Sequence, residues 1–118
     1  MAEFGNVLLG GHVSTSGGIS GASDRAKVFG FRTFQVFSKN QMQWNAKPLD
    51  PSEVKGFRKK VAENSQEKIM VHASYLLNMG TSDPALRSKV IEGFLLEIGR
   101  ADELGIGPNL FWYKFPPL

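Results

Sequence analysis

The sequence predicts an α/β fold in which three strands and three helices alternate, with room for a fourth strand. Two observations predict it. Three short runs rich in apolar or aromatic residues lack the polar alternation of a half-exposed sheet, and each is typical of a buried parallel strand. Each run is followed by a segment with apolar residues at helical spacing. Strands that alternate with helices pair in parallel through right-handed crossovers, so we expect one parallel sheet.

The first strand and helix are predicted between residues 7 and 30. Val7 to Leu9 is an apolar run that leads through two glycines to His12, and a polar turn with further glycines follows. From Ile19 the apolar residues recur at helical spacing, and Gly30 is placed to end the helix. Two serines, Ser16 and Ser20, are available to cap the helix start.

The second unit begins with residues 31–37, which are rich in aromatic and β-branched side chains and predict a strand. Residues 38–47, SKNQMQWNAK, form its exit loop. A helix is predicted to start at Asp50, because this residue can cap and Pro51 suits the first helical position. Glu53 stands three residues after the cap, the spacing of a capping box.

The third strand, Ile69 to Val71, delivers His72 to its carboxyl end, where α/β folds place their ligands. A packed structural histidine is the alternative. Asp83 and Pro84 repeat the helix start signal, and an apolar stripe with a period near 3.6 residues continues to Gly105. Residues 109–115 begin a fourth strand in this interpretation, and two prolines end it.

Length and composition indicate one small globular domain. The chain has 118 residues, 42% hydrophobic and 21% charged, and no apolar run approaches the roughly 18 residues of a membrane span. The start lacks the features of a signal peptide, so we expect a cytoplasmic protein without membrane partners. Cysteine is absent, which excludes disulfides and thiolate metal sites. Residues 1–60 hold nine Lys and Arg against four Asp and Glu, a basic bias that suits an anionic partner.

The loops that leave the three strands carry the candidate site residues. Amides beside large apolar side chains can bond base edges and wedge between stacked bases. The alternatives are that Tyr75 and Leu76 are buried beneath their loop and that Trp44 only anchors its loop. The candidates are His12, Asn40, Gln43, Trp44, His72, Tyr75 and Leu76.

A hydrolytic metal site needs three or more ligands and an open position. His12 and His72 are the only histidines, and no carboxylate directly follows a strand. We therefore expect that this chain alone does not complete such a site. The carboxylates considered all fall on or next to predicted helices: Asp24, Asp50, Glu53, Asp83, Glu97, Asp102 and Glu103.

Four segments together resemble the amino-terminal part of the endonuclease IV family of zinc-dependent apurinic/apyrimidinic endonucleases. They are GGHVSTSGGI, FQVFSKNQMQWNAKPL, VHASYLLNMG and ADELGI, in the order and spacing of that family. The resemblance implies a partial (β/α)8 TIM barrel, its first three βα units with the start of a fourth. It also implies a DNA base-excision repair enzyme that uses three zinc ions to cleave the phosphodiester 5′ to abasic sites in duplex DNA.

The resemblance assigns roles residue by residue. It makes His72 a zinc ligand and places His12 close to the metal cluster. It places Gln43, with Asn40 and Trp44 in the same loop, against the DNA minor groove, and it makes Tyr75 and Leu76 the pair inserted at the abasic site. Met42 stands where some relatives have arginine, and Ala73 replaces an aspartate that often stands beside the ligand histidine.

The resemblance ends near residue 106. We therefore expect residues 1–106 to be the amino-terminal part of the barrel and residues 107–118 to be a divergent or truncated tail, with most zinc ligands missing and the chain alone inactive in cleavage. An open sheet with unpaired edges predicts that the chain associates with itself, aggregates or stays partly disordered. Two alternatives stay open: a non-catalytic DNA-binding fragment, and a sugar isomerase or epimerase of similar architecture.

Overall fold

The computed structural model describes residues 5–107 and 111–112. Strands and helices alternate along the chain, as the sequence predicts, and a fourth strand lies within the segment where one was expected. The rest of that segment lies outside the described residues. No helix in the described part has the length and apolar character needed to cross a membrane. The elements are β1 (Gly10–His12), a 3-10 turn (Ile19–Gly21), α1 (Ala22–Val28), β2 (Thr33–Val36), α2 (Pro51–Glu63), β3 (Met70–His72), α3 (Pro84–Glu103) and β4 (Phe111–Trp112).

The first strand begins three residues later than predicted. The apolar run Val7 to Leu9 precedes β1, and the pairing residues are Gly10, Gly11 and His12. A side chain at Gly10 would lie 1.8 Å from the backbone oxygen of Thr33. Glycine is therefore needed for the close approach of β1 to β2. The predicted position of the first strand was wrong because glycine in general disfavours strands.

The four strands are parallel and follow one another in chain order, β1-β2-β3-β4. The register places His12 beside Gln35, and Gln35 beside Met70, so these side chains share one face. The alternate residues Phe34 and Val36 lie on the other face, in a buried cluster with residues of all three helices. A sheet wound in one direction with its helices on one face is the wall of a (β/α)8 barrel rather than a doubly wound sheet. The partial barrel fold is confirmed.

The core divides into two clusters. The larger one fills the space between the sheet and the helices, around Phe34 and Phe57, which are 2% and 1% exposed. The smaller one lies under the strand-exit loops, where buried Ala73, Leu77 and Val90 contact Trp44. The second cluster therefore supports the loops that carry the candidate site.

The two Asp-Pro signals form caps as predicted. The carboxylate of Asp50 accepts a hydrogen bond from the amide of Ser52 at 2.8 Å, and that of Asp83 accepts one from Ala85 at 2.9 Å. The predicted capping box does not form, because the Glu53 carboxylate accepts from the amide of Ser20 at 2.8 Å. Glu53 thus joins α2 to the 3-10 turn. That turn replaces the first turn of the predicted first helix, and neither the turn nor α1 has a side-chain cap.

Candidate functional site

Four rings meet at the carboxyl edge of the sheet. Phe37, directly after β2, lies between the two histidines, with its ring centroid 4.7 Å from that of His12 and 4.8 Å from that of His72. The centroids of the histidine rings are 6.2 Å apart. Tyr75 stands edge-on to His72 at 5.5 Å and to Phe37 at 5.4 Å. The exits of three strands therefore bring His12, His72 and Tyr75 together, and Phe37 is the member that sequence reasoning missed.

The ring of His72 is held in one tautomer. The side chain is buried, and Nδ1 lies 2.7 Å from the backbone oxygen of Ala73. A carbonyl oxygen only accepts, so Nδ1 carries a proton, and in the neutral form of the ring the lone pair is on Nε2. This tautomer is the one a metal ligand adopts when its other nitrogen donates to a backbone carbonyl.

The ring of His12 is held in the opposite tautomer. Its Nδ1 accepts a hydrogen bond from the side-chain amide of Gln35 at 3.0 Å, so Nε2 carries the proton. Partial burial, and after it the charge of His72, lowers the pKa of His12. His12 is therefore neutral at neutral pH and presents an N–H donor rather than a lone pair at Nε2.

Within residues 5–107 and 111–112, no three His, Asp or Glu side chains gather in a way that would hold a metal ion. His72 has the tautomer of a ligand, and His12 does not. The described residues therefore do not fit a complete metal centre by themselves.

The loop after β2, residues 38–47, has a tightly bonded tip. The side chain of Asn40 accepts from the amide of Met42 at 2.8 Å, and the ammonium of Lys39 donates to the carbonyl oxygens of Asn40 and Gln43. Met42 is 62% exposed, and Gln43 is also exposed. The turn therefore presents residues 40–43 to solvent in a fixed conformation.

The loop after β3, residues 73–83, is bonded to the tip of the first loop. Both the hydroxyl of Ser74 and the amide of Tyr75 donate to the backbone oxygen of Gln41, at 2.9 and 3.1 Å. Tyr75 is 54% exposed and Leu76 is half-buried, whereas Leu77 packs into the smaller core cluster. Tyr75 is therefore displayed beside the exposed turn and is not buried beneath its loop.

Trp44 has a different environment from the other candidates. Its half-buried indole packs in the cluster of Ala73, Leu77 and Val90, and the ammonium of Lys89 lies 4.6 Å from its ring centroid. The indole therefore anchors the first loop to α3, which is the alternative considered for this residue from the sequence.

Two further residues at this edge escaped sequence reasoning because they lie on a helix. Glu97 of α3 is 1% exposed, and its carboxylate accepts from the amide of Ser74. Arg100 donates to the backbone oxygens of Ser38 and Lys47. The sequence does contain a signal for Glu97, which is a charged residue at a core-facing position of the apolar stripe, between Phe94 and Ala101. A carboxylate thus reaches the strand exits without following a strand.

The sequence model of a known family matches residues 23–116, and its description is the xylose isomerase-like TIM barrel. The match covers most of the chain and agrees with the parallel sheet. The chain belongs to the xylose isomerase-like TIM barrel family.

Within the xylose isomerase-like TIM barrel family, the chain is similar to endonuclease IV. The probable endonuclease 4 of Thermoplasma acidophilum is 47% identical over 97 residues, which are 82% of this chain and 34% of the relative. That of Campylobacter fetus is 49% identical over 100 residues, 83% of this chain and 36% of the relative. The crystal structure of endonuclease IV from Thermus thermophilus superposes with a TM-score of 0.76 at 32% identity, over 81% of this chain and 36% of that one. The chain spans about a third of the length of these relatives.

We predict that the two histidines show opposite tautomers in solution. At about pH 8, above the usual histidine pKa, long-range proton–nitrogen NMR spectra should show the proton on Nδ1 of His72 and on Nε2 of His12. The Gln35→Leu substitution removes the donor to His12 and should change only that ring. Identical tautomers for both rings would contradict the geometry described above.

Proposed function

We propose that this chain carries the DNA-recognition surface of an endonuclease IV type base-excision repair enzyme and binds duplex DNA at abasic sites. The observation that carries the proposal is the exposed Tyr75, displayed on a loop bonded to the neighbouring turn and beside the His72 ring. The similarity to the endonuclease IV proteins supports it. A cytoplasmic location belongs to the same proposal, because a chain without cysteine needs no oxidising compartment.

In this proposal the two loops contact DNA in different ways. Gln43 and Asn40, on the exposed turn, bond base edges in the minor groove. Tyr75 and Leu76 wedge into the base stack at the damaged position, where no base must be unstacked and the cost of distortion is lowest. Trp44 contributes indirectly, because its packing against α3 holds the turn in place.

His72 contributes one zinc ligand in this proposal. Zinc, when bound, would lower the pKa of the attacking water and stabilise the leaving oxygen. The backbone oxygen of Ala73 accepts a hydrogen bond from Nδ1–H of His72, so the ring has an orienting hydrogen bond although no aspartate stands at position 73. Because the described residues do not complete a metal centre, cleavage 5′ to the abasic site requires ligands from elsewhere.

The test compares binding to a duplex with a tetrahydrofuran abasic analogue and to the intact duplex of the same sequence. Fluorescence anisotropy at fixed salt should give an affinity for the analogue at least about tenfold higher, a difference of about 1.4 kcal/mol. Equal affinities would contradict the proposal. No nicking is expected with added Zn²⁺, and nicking would contradict the incomplete metal site. A sugar isomerase or epimerase would instead bind a small aldose and show no preference between the two duplexes.

A second part of the proposal is that the open sheet takes a second copy of this chain. The described sheet has four parallel strands, whereas a (β/α)8 barrel closes with eight strands. Two copies of the chain together supply eight strands. Apolar residues are exposed at both flanks of the described fold, with Val7 60% exposed before β1 and Leu95 60% exposed on α3. A closed barrel would cover the β1 edge with a further strand and α3 with a further helix.

Light scattering during size-exclusion chromatography should therefore show a dimer or a larger assembly. A lysine at the β1 end, Val7→Lys, should shift the equilibrium towards monomer, because a charge at a strand edge opposes pairing. The matched control is Val28→Lys, since Val28 is 84% exposed at the end of α1. A single monomeric species with cooperative unfolding would overturn this part of the proposal.

A further inference from the structure

We propose that Glu97 and Arg100, one turn apart on α3, are positioning residues that hold the loops 38–47 and 73–83 in a fixed relation to each other. The consequence for DNA rests on the function proposed above. The consequence for the loop geometry does not, and the two are tested separately.

Glu97 holds the loop 73–83. Both oxygens of its carboxylate lie 3.1 Å from the amide nitrogen of Ser74, two residues after the end of β3. The side chain is almost fully buried, and burial raises the pKa of its carboxyl, while the hydrogen bond from the amide of Ser74 and then the charges of Lys39 and Arg100 oppose this shift. An apolar residue at this stripe position would avoid the cost of burying a carboxylate. The bond to Ser74 is what a carboxylate adds here.

Arg100 holds both ends of the loop 38–47. Its guanidinium donates through Nε to the backbone oxygen of Ser38 at 2.9 Å, with a second bond from Nη2 to the same oxygen. Through Nη1 it donates to the backbone oxygen of Lys47 at 2.7 Å. Only a planar, forked donor can hold two carbonyl groups in this way, and the ammonium of lysine does not reproduce that geometry.

The bonds close a triangle between α3 and the two loops. Glu97 joins α3 to the loop 73–83, Arg100 joins α3 to the loop 38–47, and the backbone oxygen of Gln41 joins the loops to each other through Ser74 and Tyr75. Every one of these bonds ends on a backbone group in a loop. The arrangement therefore fixes main-chain positions and, apart from Ser74, uses no side chain of the two loops.

This triangle sets the distance between the exposed turn at residues 40–43 and the pair Tyr75 and Leu76. Under the proposed function, that distance decides whether both loops engage one damaged position at once. Breaking bonds of the triangle should reduce the preference for the abasic duplex more than the affinity for DNA in general, because general affinity comes from contacts with the phosphate backbone.

The loop geometry is tested with two spin labels, and the absence of native cysteine makes the labelling specific. Labels at Met42→Cys and Gly80→Cys, both exposed positions, report the distance between the loops by pulsed electron spin resonance. Glu97→Leu and Arg100→Lys should each broaden the distance distribution. Glu97→Gln keeps an acceptor for the amide of Ser74 and should keep the narrow distribution. The matched controls are Glu92→Leu and Arg87→Lys, which change exposed residues of the same helix.

The same unlabelled variants are then compared for binding to the abasic and intact duplexes. Glu97→Leu and Arg100→Lys should lower the preference for the abasic duplex by about tenfold, which equals about 1.4 kcal/mol, with unchanged affinity for intact DNA. Circular dichroism shows whether each variant folds. If Glu97→Leu does not fold, the results for Arg100→Lys alone decide whether the inference holds.

If folded Glu97→Leu or Arg100→Lys keeps the narrow distribution of label distances seen in the wild-type chain, the inference is overturned. Both residues then have a role in stability only. Broadened distributions support it. If the wild-type chain shows no preference for the abasic duplex while the distances respond as expected, the proposed function fails and the positioning role stands.

Discussion

Replacing Tyr75 and Leu76 together by alanine is expected to remove the preference of this chain for abasic duplex DNA. The expected loss of affinity for that duplex is about 10- to 100-fold, because contacts of an aromatic side chain with a base are worth about 1–3 kcal/mol. Affinity for intact duplex should change little, since the wedge has no site to enter there. Anisotropy titrations with both duplexes at one salt concentration measure the effect.

Two controls make this result specific. Tyr75→Phe keeps the ring and should keep most of the preference. The double substitution of Val28 and Phe29 by alanine removes a similar amount of apolar surface at the C-terminal end of α1, where these residues are 84% and 64% exposed, and should leave binding unchanged. An equal loss of affinity for both duplexes would show that Tyr75 and Leu76 serve general DNA binding instead.

Replacing Phe57 by alanine is expected to cost about 3–5 kcal/mol of unfolding free energy, the usual cost of emptying a buried phenyl site. Phe57 is 1% exposed, lies in the larger core cluster, and stands edge-on to Phe34 with a centroid distance of 6.2 Å. A small domain has about 5–15 kcal/mol of stability in total, so little folded protein should remain. Urea unfolding followed by circular dichroism measures the change.

The matched control for Phe57 is Phe29→Ala, because Phe29 is 64% exposed and contacts only one other ring, that of Phe31, among the described aromatic pairs. Its cost should stay below about 1 kcal/mol, as for most surface substitutions. Similar costs for the two substitutions would mean that the cluster around Phe57 is not the core of the folded chain.

Local rules accounted for most of the secondary structure. The caps at Asp50 and Asp83 depend on residues two or three positions away, so their prediction needed no tertiary information. The prediction of β1 failed for the opposite reason, since the strand forms where Gly10 lets two backbones approach. The capping box at Glu53 failed because Ser20, which is 33 residues away in the chain, competes for the carboxylate.

The candidate site was predicted in part. Loops at one edge of a parallel sheet follow from the alternation of strands and helices, so His12, His72 and Tyr75 were expected to lie close together. The sequence pattern contained no rule that would connect Gln35 to His12, or Glu97 and Arg100 to the loops. The contacts of Arg100 with Ser38 span 62 residues, and such contacts exist only once the helix has packed.

The sequence by itself determined the α/β class, the helix starts, the edge of the sheet that bears the polar loops, and the resemblance to endonuclease IV, because each depends on neighbouring residues or on short motifs. Only the tertiary structure decided the opposite tautomers of the two histidines, the packing of Trp44 and the exposure of Tyr75. The physical reason is that each depends on a partner brought close by folding: Gln35 for His12, Val90 for Trp44, and Gln41 for the loop of Tyr75.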